Sequence, residues 1–470
     1  MRKPVPVIFV FPMALRIIEQ TLISPYPPLA SQPPHLLSFL DKIWLRDIWI
    51  EWLFFYEFPH AISDFIDQHL AALSASLSVT LHRFYPLAGT VRRSPNSEDG
   101  FEIWYKEGDA VSFTVAELAG SNFCDISGDH PREIDKLRLL APKPASTGEQ
   151  WPVLSVQMTL FPDQGFCIGV AVHHAACDGA GAIQFIKSWA AALCPSGNLT
   201  GDVPPPPFLD RSVIVDSHGV RRKLLRASQE VSEKKKKQRT GAEPPPPEAP
   251  HSSLVFGTFV LGPAMIGKLK KGVLEATAEE EGKPKFHCSS FMVACAYTWT
   301  CLVKARGYDG DSTVVFCYAV DWRRRMAPEI PNGYIGNCLG FNTVEMNVGD
   351  MIGGEGFAAA AAEIGRSIDG LKGMDVGQSI ERRIDMAVGS EGERKPRLCI
   401  GGSPKFRVYE TDFGWGRPAK VEMTSIVGTA GTISLAESRE EEGGLEIGVV
   451  LPNVEMDRFS ALFVGGQLSG

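Results

Sequence analysis

A histidine pair and an aspartate lie close together in the segment His-His-Ala-Ala-Cys-Asp-Gly at 173–179, and their types suit acid–base chemistry. A neutral imidazole takes protons readily, because its ordinary pKa of about 6.5 leaves it largely uncharged near neutral pH. Asp178 could fix either the local backbone or the orientation of an imidazole ring. Gly179 and Gly181 leave room for a substrate or a second element to approach. The segment therefore predicts a general base placed in a cleft.

Apolar segments on either side predict the elements that would position this base. Residues 166–172 form an apolar run that ends at the histidine pair, and together with 153–160 they predict a β-hairpin across the turn-rich segment 161–165. Apolar residues at helical spacing from 183 to 193 predict a helix directly after the motif. A histidine at the end of a rigid strand stays well positioned, as a catalytic group requires.

The rest of the chain alternates predicted helices and strands. They are a helix over 65–84, strands over 101–105, 111–115 and 257–261, a helix that begins at Ser289-Ser290, a helix over 357–371, and a terminal hairpin of 432–435 and 445–451. This alternation predicts an α/β fold class.

The composition excludes several classes of protein. The chain has 470 residues, 44% of them hydrophobic and 22% charged, which is typical of a globular protein. Its 47 basic and 55 acidic residues give a net charge of −8, so we expect no nucleic acid and no membrane as partner. The ten cysteines show no CxxC pair and no zinc-ligand spacing, which predicts no metal site and thiols kept reduced.

The N-terminal segment bears on location. Three prolines interrupt residues 1–12, so we interpret them as an extension before Met13 and not as a secretory signal. No stretch of the sequence is long and apolar enough to span a membrane. We therefore expect a cytoplasmic protein.

A chain of this length predicts two domains of roughly 200 residues each. Between them, Pro204–Pro207, Lys234–Lys237 and Pro244–Pro247 form low-complexity tracts, which predict a partly disordered crossover. The predicted division is an N-terminal domain over 1–203 that carries the histidine pair, a linker over 204–253, and a C-terminal domain over 254–470.

A second motif, Asp412-Phe413-Gly414-Trp415-Gly416, combines two glycines with large aromatic residues, which predicts a tight turn plugged by the tryptophan. The pair of motifs resembles the plant BAHD acyltransferase family, whose members transfer acyl groups from coenzyme A thioesters. The resemblance runs from about residue 15 onward. Further matching blocks are Leu-Ser-Val-Thr-Leu-His-Arg-Phe-Tyr-Pro-Leu-Ala-Gly at 77–89, Val-Asp-Trp-Arg at 320–323 and Tyr-Ile-Gly-Asn-Cys at 334–338.

The block at 334–338 resembles the YFGNC motif of the branch that acylates anthocyanins and other flavonoid or phenolic glucosides, with isoleucine in place of phenylalanine. Blocks at 53–59, 185–190, 210–214 and 433–439 indicate the same branch. The lysine- and proline-rich crossover departs from the family's usual pattern, in a loop that tolerates insertion.

The resemblance implies two similar domains of the chloramphenicol-acetyltransferase type with a solvent channel between them. It makes His174 the general base of a direct transfer in a ternary complex, with His173 as a neighbour. No acyl-enzyme is then required, so we expect Cys177 to be inert. Asp178 is expected to point away from the base and to pair with Arg323 in a structural role. The loop of Asp412, Phe413, Gly414, Trp415 and Gly416 is expected to shape the channel away from the chemistry.

Coenzyme A carries phosphates, which bind cations and free backbone N–H groups. Ser289 and Ser290 at a predicted helix N-terminus, with Lys285 just before them, are therefore candidate coenzyme A contacts. Further candidates are Lys283, a cluster of Lys268, Lys270 and Lys271, and Ser403 as an oxyanion or channel contact. Solvated surface lysines explain each of these cations equally well.

The leading hypothesis is an acyl-CoA-dependent O-acyltransferase that moves a malonyl group to a hydroxyl of a phenolic or flavonoid glucoside. Acyl-CoA is then a co-substrate, with no bound cofactor or metal, and we expect a monomer. A hydroxycinnamoyl-CoA donor is the nearest alternative. Two others stay open: a non-catalytic binding or regulatory protein of the same fold, and a condensation-type domain that shares the HHxxxDG pattern. The intact His174 and Asp178 argue against the first, and the 412–416 motif argues against the second.

Overall fold

The structure is a computed structural model, and it describes residues 14–45, 47–97, 100–148, 150–194, 204–216, 219–220, 222–223, 254–278, 286–380, 395–426 and 431–468. Most of the predicted linker, the tract Lys234–Lys237 and the candidates Lys283 and Lys285 lie outside these residues. The domain boundaries at 203/204 and 253/254 stay predictions.

Short and long strands alternate with helices along the described chain. The strands are β1 Ala14–Ile23, β2 His35–Leu36, β3 Trp49–Glu57, β4 Thr90–Arg93, β5 Phe101–Trp104, β6 Val111–Ala119, β7 Arg132–Glu133, β8 Trp151–Pro152, β9 Leu154–Phe161, β10 Gly165–His173, β11 Leu254–Leu261, β12 Thr313–Asp321, β13 Leu339–Asn347, β14 Arg397–Gly402, β15 Lys420–Met423, β16 Thr432–Glu437 and β17 Leu445–Pro452.

The α-helices are α1 Phe39–Lys42, α2 Ile62–Phe65, α3 Ala71–Arg83, α4 Phe123–Ser127, α5 Ile134–Arg138, α6 Gly179–Leu193, α7 Pro263–Ala276, α8 Ser290–Arg306, α9 Val348–Ile352, α10 Gly356–Asp369 and α11 Asn453–Leu468. A π-helical turn, Ile66–Leu70, joins α2 to α3, so the helix predicted over 65–84 is confirmed. Within the described part of the chain, no helix is long and apolar enough to cross a membrane.

The strands form two large sheets and one small one. The first large sheet has the order β1-β6-β9-β10-β3-β15, the second β13-β12-β14-β16-β17-β11-β7, and the small sheet β2-β5-β4-β8. Parallel and antiparallel pairs occur in both large sheets. The α/β fold class is confirmed, with one large sheet built mainly from each half of the chain.

Each large sheet takes one short strand from the other half of the chain. Strand β15 comes from the C-terminal half and pairs with β3, while β7 comes from the N-terminal half and pairs with β11. The two exchanged strands are joined by a buried ion pair, in which Arg132 Nη2 lies 2.7 Å from Glu422 Oε1. The halves are therefore interlocked through their sheets.

The hairpin of β9 and β10 forms the centre of the first sheet, as predicted. Its register pairs Gly165 with Phe161 and Val172 with Leu154, and every residue of both strands is buried. Strand β3 pairs with the other edge of β10, so that His173 lies opposite Trp49. Because β10 has neighbours on both sides, its end is held rigidly, and this end leads directly to His174.

Candidate active site

His174 is the first residue after β10. Its backbone N–H donates to the carbonyl oxygen of Ile48, 2.9 Å away, and its side chain is half-buried. The preceding His173 is fully buried, and its Nδ1 accepts from the backbone N–H of Ala175 at 3.2 Å. Since that ring is turned into the protein, His174 is the member of the pair that can meet a substrate.

Asn337, in the block at 334–338, fixes the tautomer of His174. Its side-chain Nδ2 donates to the carbonyl oxygen of His174 at 2.8 Å and to Oδ1 of Asp41 at 2.9 Å. Both partners only accept hydrogen bonds, so the other end of the amide, Oδ1, faces His174 Nδ1 at 3.2 Å as an acceptor. Nδ1 then carries the proton in neutral His174, and Nε2 has the free lone pair.

Asp41 fixes the position of Asn337 through hydrogen bonds. Its carboxylate also accepts from the backbone N–H of Asn337 at 2.9 Å and forms the capping box of α1 with Ser38. Arg211 lies beside it, with Nη1 2.8 Å from Asp41 Oδ2, and both side chains are almost fully buried. A chain of contacts therefore runs from Arg211 through Asp41 and Asn337 to the imidazole of His174.

Sequence reasoning missed Asp41 and gave Asn337 and Arg211 no role. Asn337 and Arg211 belong to the blocks at 334–338 and 210–214, which indicate a branch of the family and no chemical role for either residue. The serine three positions before Asp41 is the one local signal that could have drawn attention to it, because Ser-x-x-Asp is typical of a helix cap.

Asp178 does not bond to His174. Its Oδ2 accepts from Arg323 Nη1 at 2.8 Å and from the backbone N–H of Cys338 at 3.0 Å. Its Oδ1 accepts from Arg323 Nη2 at 2.9 Å and from the backbone N–H of Gly181 at 3.2 Å, which caps α6. Four donors thus occupy a carboxylate that is only 1% exposed, and this carboxylate joins α6 to the segment after β12.

The surroundings of His174 and Asp178 shift their pKa values so that His174 is neutral and Asp178 is charged. Burial lowers the pKa of His174 to about 4, although Asp178 and Asp41 nearby act in the opposite direction. Burial would raise the pKa of Asp178, but the Arg323 guanidinium and the backbone donors outweigh it and hold that pKa below its ordinary value. At neutral pH His174 is therefore neutral and Asp178 ionised.

The thiol inside the motif is poorly suited to attack an acyl group. Cys177 has no exposed surface, and burial, followed by the charge of Asp178, raises its pKa well above the ordinary value. Because the thiolate is the nucleophilic form, this thiol is unreactive at neutral pH.

An indole covers one face of the imidazole. The rings of Trp44 and His174 are stacked, with centroids 3.5 Å apart and an angle of 6° between their planes. Trp44 follows α1, and its backbone N–H donates to the carbonyl oxygen of Asp41 at 3.0 Å. The stack was not foreseen from the sequence.

The 412–416 loop folds around its own aspartate. Asp412 Oδ1 accepts from the backbone N–H groups of Gly414 and Gly416, at 2.7 and 2.9 Å. Both glycines have positive φ angles, +100° and +82°, which favour glycine. The aspartate therefore satisfies two backbone donors in a turn that other residues would strain.

The aromatic residues of this loop pack at the far end of β10. Phe413 meets Trp189 of α6 edge-on, with ring centroids 4.8 Å apart, and Trp415 meets Phe166 at 4.9 Å. Phe166 and His174 are separated by eight residues along an extended strand, a span of about 26 Å. The loop supports β10 and α6 at a distance from the imidazole.

The candidate coenzyme A contacts that the structure describes, Ser289 and Ser290, form the start of a helix and are not hydrogen-bonded to His174. Ser289 caps α8, its hydroxyl accepting from the backbone N–H of Met292 at 3.2 Å, and Ser290 is the first residue of that helix. The neighbouring α7 carries Lys270, whose carbonyl oxygen lies 4.0 Å from Cys288 Sγ. Lys285 lies outside the described residues. Ser403 caps the 3-10 turn Pro404–Phe406.

Comparison with known proteins identifies the family. The profile of the Transferase family matches residues 13–463, nearly the whole chain. The chain belongs to the BAHD acyltransferase family. This confirms the predicted class of enzyme, an acyltransferase that depends on acyl-CoA.

Two curated relatives of this BAHD acyltransferase have informative names. It is 33% identical to phenolic glucoside malonyltransferase 2 of Arabidopsis thaliana over 464 residues, which covers 97% of this chain and 99% of that protein. It is 34% identical to agmatine coumaroyltransferase of the same plant over 459 residues, covering 96% and 99%. The two relatives are named for different acyl donors and acceptors.

Among solved structures, the BAHD acyltransferase resembles vinorine synthase. The TM-score is 0.70 at 21% sequence identity, and the match covers 96% of this chain and 98% of that one. At this level of identity the likeness establishes the shared fold.

Proposed function

We propose that this protein transfers a malonyl group from malonyl-CoA to a hydroxyl of a phenolic or flavonoid glucoside, with His174 as general base. The observation that carries the proposal is the state of His174. It is neutral, its Nδ1 proton is directed to Asn337, and its Nε2 lone pair is free. A group in this state can take a proton from an attacking hydroxyl.

The transfer proceeds in one ternary complex. Nε2 of His174 takes the proton of the acceptor hydroxyl as its oxygen forms a bond to the thioester carbonyl carbon. The tetrahedral intermediate then collapses, its C–S bond breaks, and the departing sulfur takes the proton from the imidazolium. The products are an ester and free coenzyme A, and His174 returns to its neutral form. General base catalysis of this kind typically contributes about 10²–10⁴-fold.

The remaining site residues have supporting roles in this proposal. Asp178 and Arg323 hold the segment that aims His174, since all four hydrogen bonds of the carboxylate are directed to other groups. The loop of Asp412, Phe413, Gly414, Trp415 and Gly416 supports the far end of β10. Ser289, Ser290 and Lys285 stay predicted contacts for coenzyme A.

The malonyl donor is proposed from the named relative that acts on phenolic glucosides. A coumaroyl donor is the second candidate, favoured by the similarity to agmatine coumaroyltransferase, which is as high. The channel between the halves, the monomeric state and the cytoplasmic location stay predictions.

The test is release of coenzyme A thiol from malonyl-CoA and from coumaroyl-CoA, each with a panel of flavonoid glucosides, simple phenolic glucosides and agmatine. Products are identified by mass. Glucoside-dependent release from malonyl-CoA supports the proposal, whereas release from coumaroyl-CoA alone moves the protein to the second candidate. Folded protein that releases thiol with neither donor would overturn both.

A further inference from the structure

The imidazole of His174 is constrained in two directions. The contact between Nδ1 and Asn337 Oδ1 lies at the edge of the ring, and at 3.2 Å it is long for a nitrogen–oxygen hydrogen bond. Such a bond fixes one atom and leaves the ring free to tilt about it. The indole of Trp44 acts across the ring plane, because the two planes are within 6° of parallel at 3.5 Å. Together the two contacts define both the direction and the plane of the ring.

The stack also leaves the reactive part of the imidazole accessible. The nitrogen lone pair used by a base lies in the ring plane at the edge, while Trp44 covers a face. The indole is itself anchored, since its backbone N–H is bonded to Asp41 and its ring meets Phe341 at a centroid distance of 5.4 Å. Asp41 therefore supports the imidazole twice, through Asn337 and through Trp44.

We propose that Trp44 is a positioning residue, whose indole face holds the His174 ring in the plane that directs Nε2 to the acceptor hydroxyl and keeps water from that ring. The proposal rests on the proposed function of His174 as base. A flat aromatic surface serves this purpose better than an aliphatic one, because a ring parallel to the imidazole at contact distance touches its whole face.

The charges around the imidazole allow a test of whether Trp44 keeps water from it. The charged groups that face His174 are Asp41 and Asp178, and each is paired with a guanidinium, Arg211 and Arg323 respectively. Burial is the main cause of the low pKa of His174. Removal of the indole leaves the charged pairs in place and admits water, so the pKa of His174 should rise toward its ordinary value of about 6.5.

The experiment compares Trp44→Phe and Trp44→Leu with the unaltered protein. We expect Trp44→Leu to lower kcat by on the order of 10-fold or more, with little change in KM for acyl-CoA, and to move the acid limb of the pH–rate profile upward by about one unit or more. Trp44→Phe keeps an aromatic face and should stay within about 3-fold of the unaltered protein. The matched control is Trp49→Leu, because that indole meets His173 edge-on at 5.1 Å and should alter neither quantity.

Comparison of Trp44→Phe with Trp44→Leu also distinguishes the effect of the aromatic face from the effect of the indole N–H. Trp44 Nε1 is buried without a hydrogen-bond partner among the described residues. An equal loss in Trp44→Phe and Trp44→Leu would assign the effect to that N–H and overturn the proposal, as would an unchanged acid limb in Trp44→Leu.

A measurement of the pKa of His174 that does not require turnover tests the role of Trp44 independently of the proposed function. Histidine labelled at Cε1 allows the pKa of His174 to be followed by NMR, with His174→Gln identifying its signal. A higher pKa in Trp44→Leu supports the shielding role even in protein that shows no transfer with the substrates tried. An unchanged pKa would overturn it, whatever the activity.

Discussion

The guanidinium of Arg323 donates two hydrogen bonds to the carboxylate of Asp178, from Nη1 to Oδ2 at 2.8 Å and from Nη2 to Oδ1 at 2.9 Å. This ion pair joins the segment after β10 to the segment after β12. The side chain of Asp178 is 1% exposed and that of Arg323 is 16% exposed. A charge left alone in such a place is costly, because burial removes most of its hydration. The pair therefore holds the segment that carries His174 in place through the fold, and Asp178 makes no hydrogen bond to the imidazole.

Asp178→Ala should destabilise the protein by about 3 kcal/mol, at the low end for a broken buried ion pair because Arg323 keeps some contact with water. Chemical denaturation measures this loss directly. The double variant Asp178→Ala/Arg323→Met should lose less than the sum of the two single variants, since the second substitution removes the unpaired charge. An unchanged melting temperature in Asp178→Ala would contradict the structural role.

His174→Gln should lower kcat by about 10²-fold or more, while thermal unfolding stays within a few degrees of the unaltered protein. Cys177→Ala is the matched control inside the same segment. It should keep most of kcat, because no acyl-enzyme forms on a thiol with a raised pKa. Retained turnover in folded His174→Gln would contradict the assignment of His174 as the base.

Activity should depend on pH through His174. The proposed base accepts a proton only when it is neutral, so we expect transfer above its folded-state pKa of about 4 and a loss of transfer as the pH falls through that value. We expect kcat/KM to be nearly constant from about pH 5.5 to 8, where an unperturbed histidine would still be titrating. A rate that halves near pH 6.5 would show that His174 is more hydrated than its surroundings indicate.

Asn337→Ala should lower kcat by roughly 5- to 150-fold, because a hydrogen bond at a buried group is worth about 1–3 kcal/mol and the proton on Nδ1 loses its acceptor. Asn342→Ala is the control, since that amide bonds to Tyr318 and Ser367 instead. Steady-state kinetics on both variants distinguish a local effect on His174 from a general loss. Equal losses in the two variants would argue against the tautomer assignment.

The two glycines of the 412–416 loop should respond differently to alanine. Gly416→Ala should cost about 1–2 kcal/mol, the ordinary penalty for an L-residue at positive φ, since no atom lies near its added Cβ. Gly414→Ala should cost more, because that Cβ would lie 2.7 Å from Cys194 Sγ. Denaturation of Gly414→Ala/Cys194→Ala should recover the difference, and no recovery would place the strain elsewhere.

Patterns of apolar residues predicted the strands and the helix that carry the site, because each of these patterns lies within a short segment of the sequence. The β9–β10 hairpin and α6 follow from apolar runs, a turn and a helical repeat within about 40 residues. The family resemblance, rather than any local pattern, brought Asp178 and Arg323 together. The roles of Trp44 and Asp41 could not be predicted, because they depend on contacts with His174 and Asn337, which are far away in the chain.

The exchanged strands were also beyond sequence reasoning, for a physical reason. Strand β7 has two residues and β15 has four, too few to show a period of two. Their buried charges, Arg132 and Glu422, would by themselves indicate a surface segment. Both can be buried because they pair with each other and because Thr258 and the carbonyl oxygen of Ile126 satisfy further hydrogen bonds.

Strand β15 has a consequence for how the protein is made. In the finished molecule it pairs with β3, so β3 has no free edge on that side. During synthesis, β3 leaves the ribosome more than 360 residues before β15, and for that time its unpaired backbone is open to other chains. An N-terminal fragment should therefore be prone to aggregate when expressed alone, and its rescue by a co-expressed C-terminal fragment would give a direct assay for completion of the sheet.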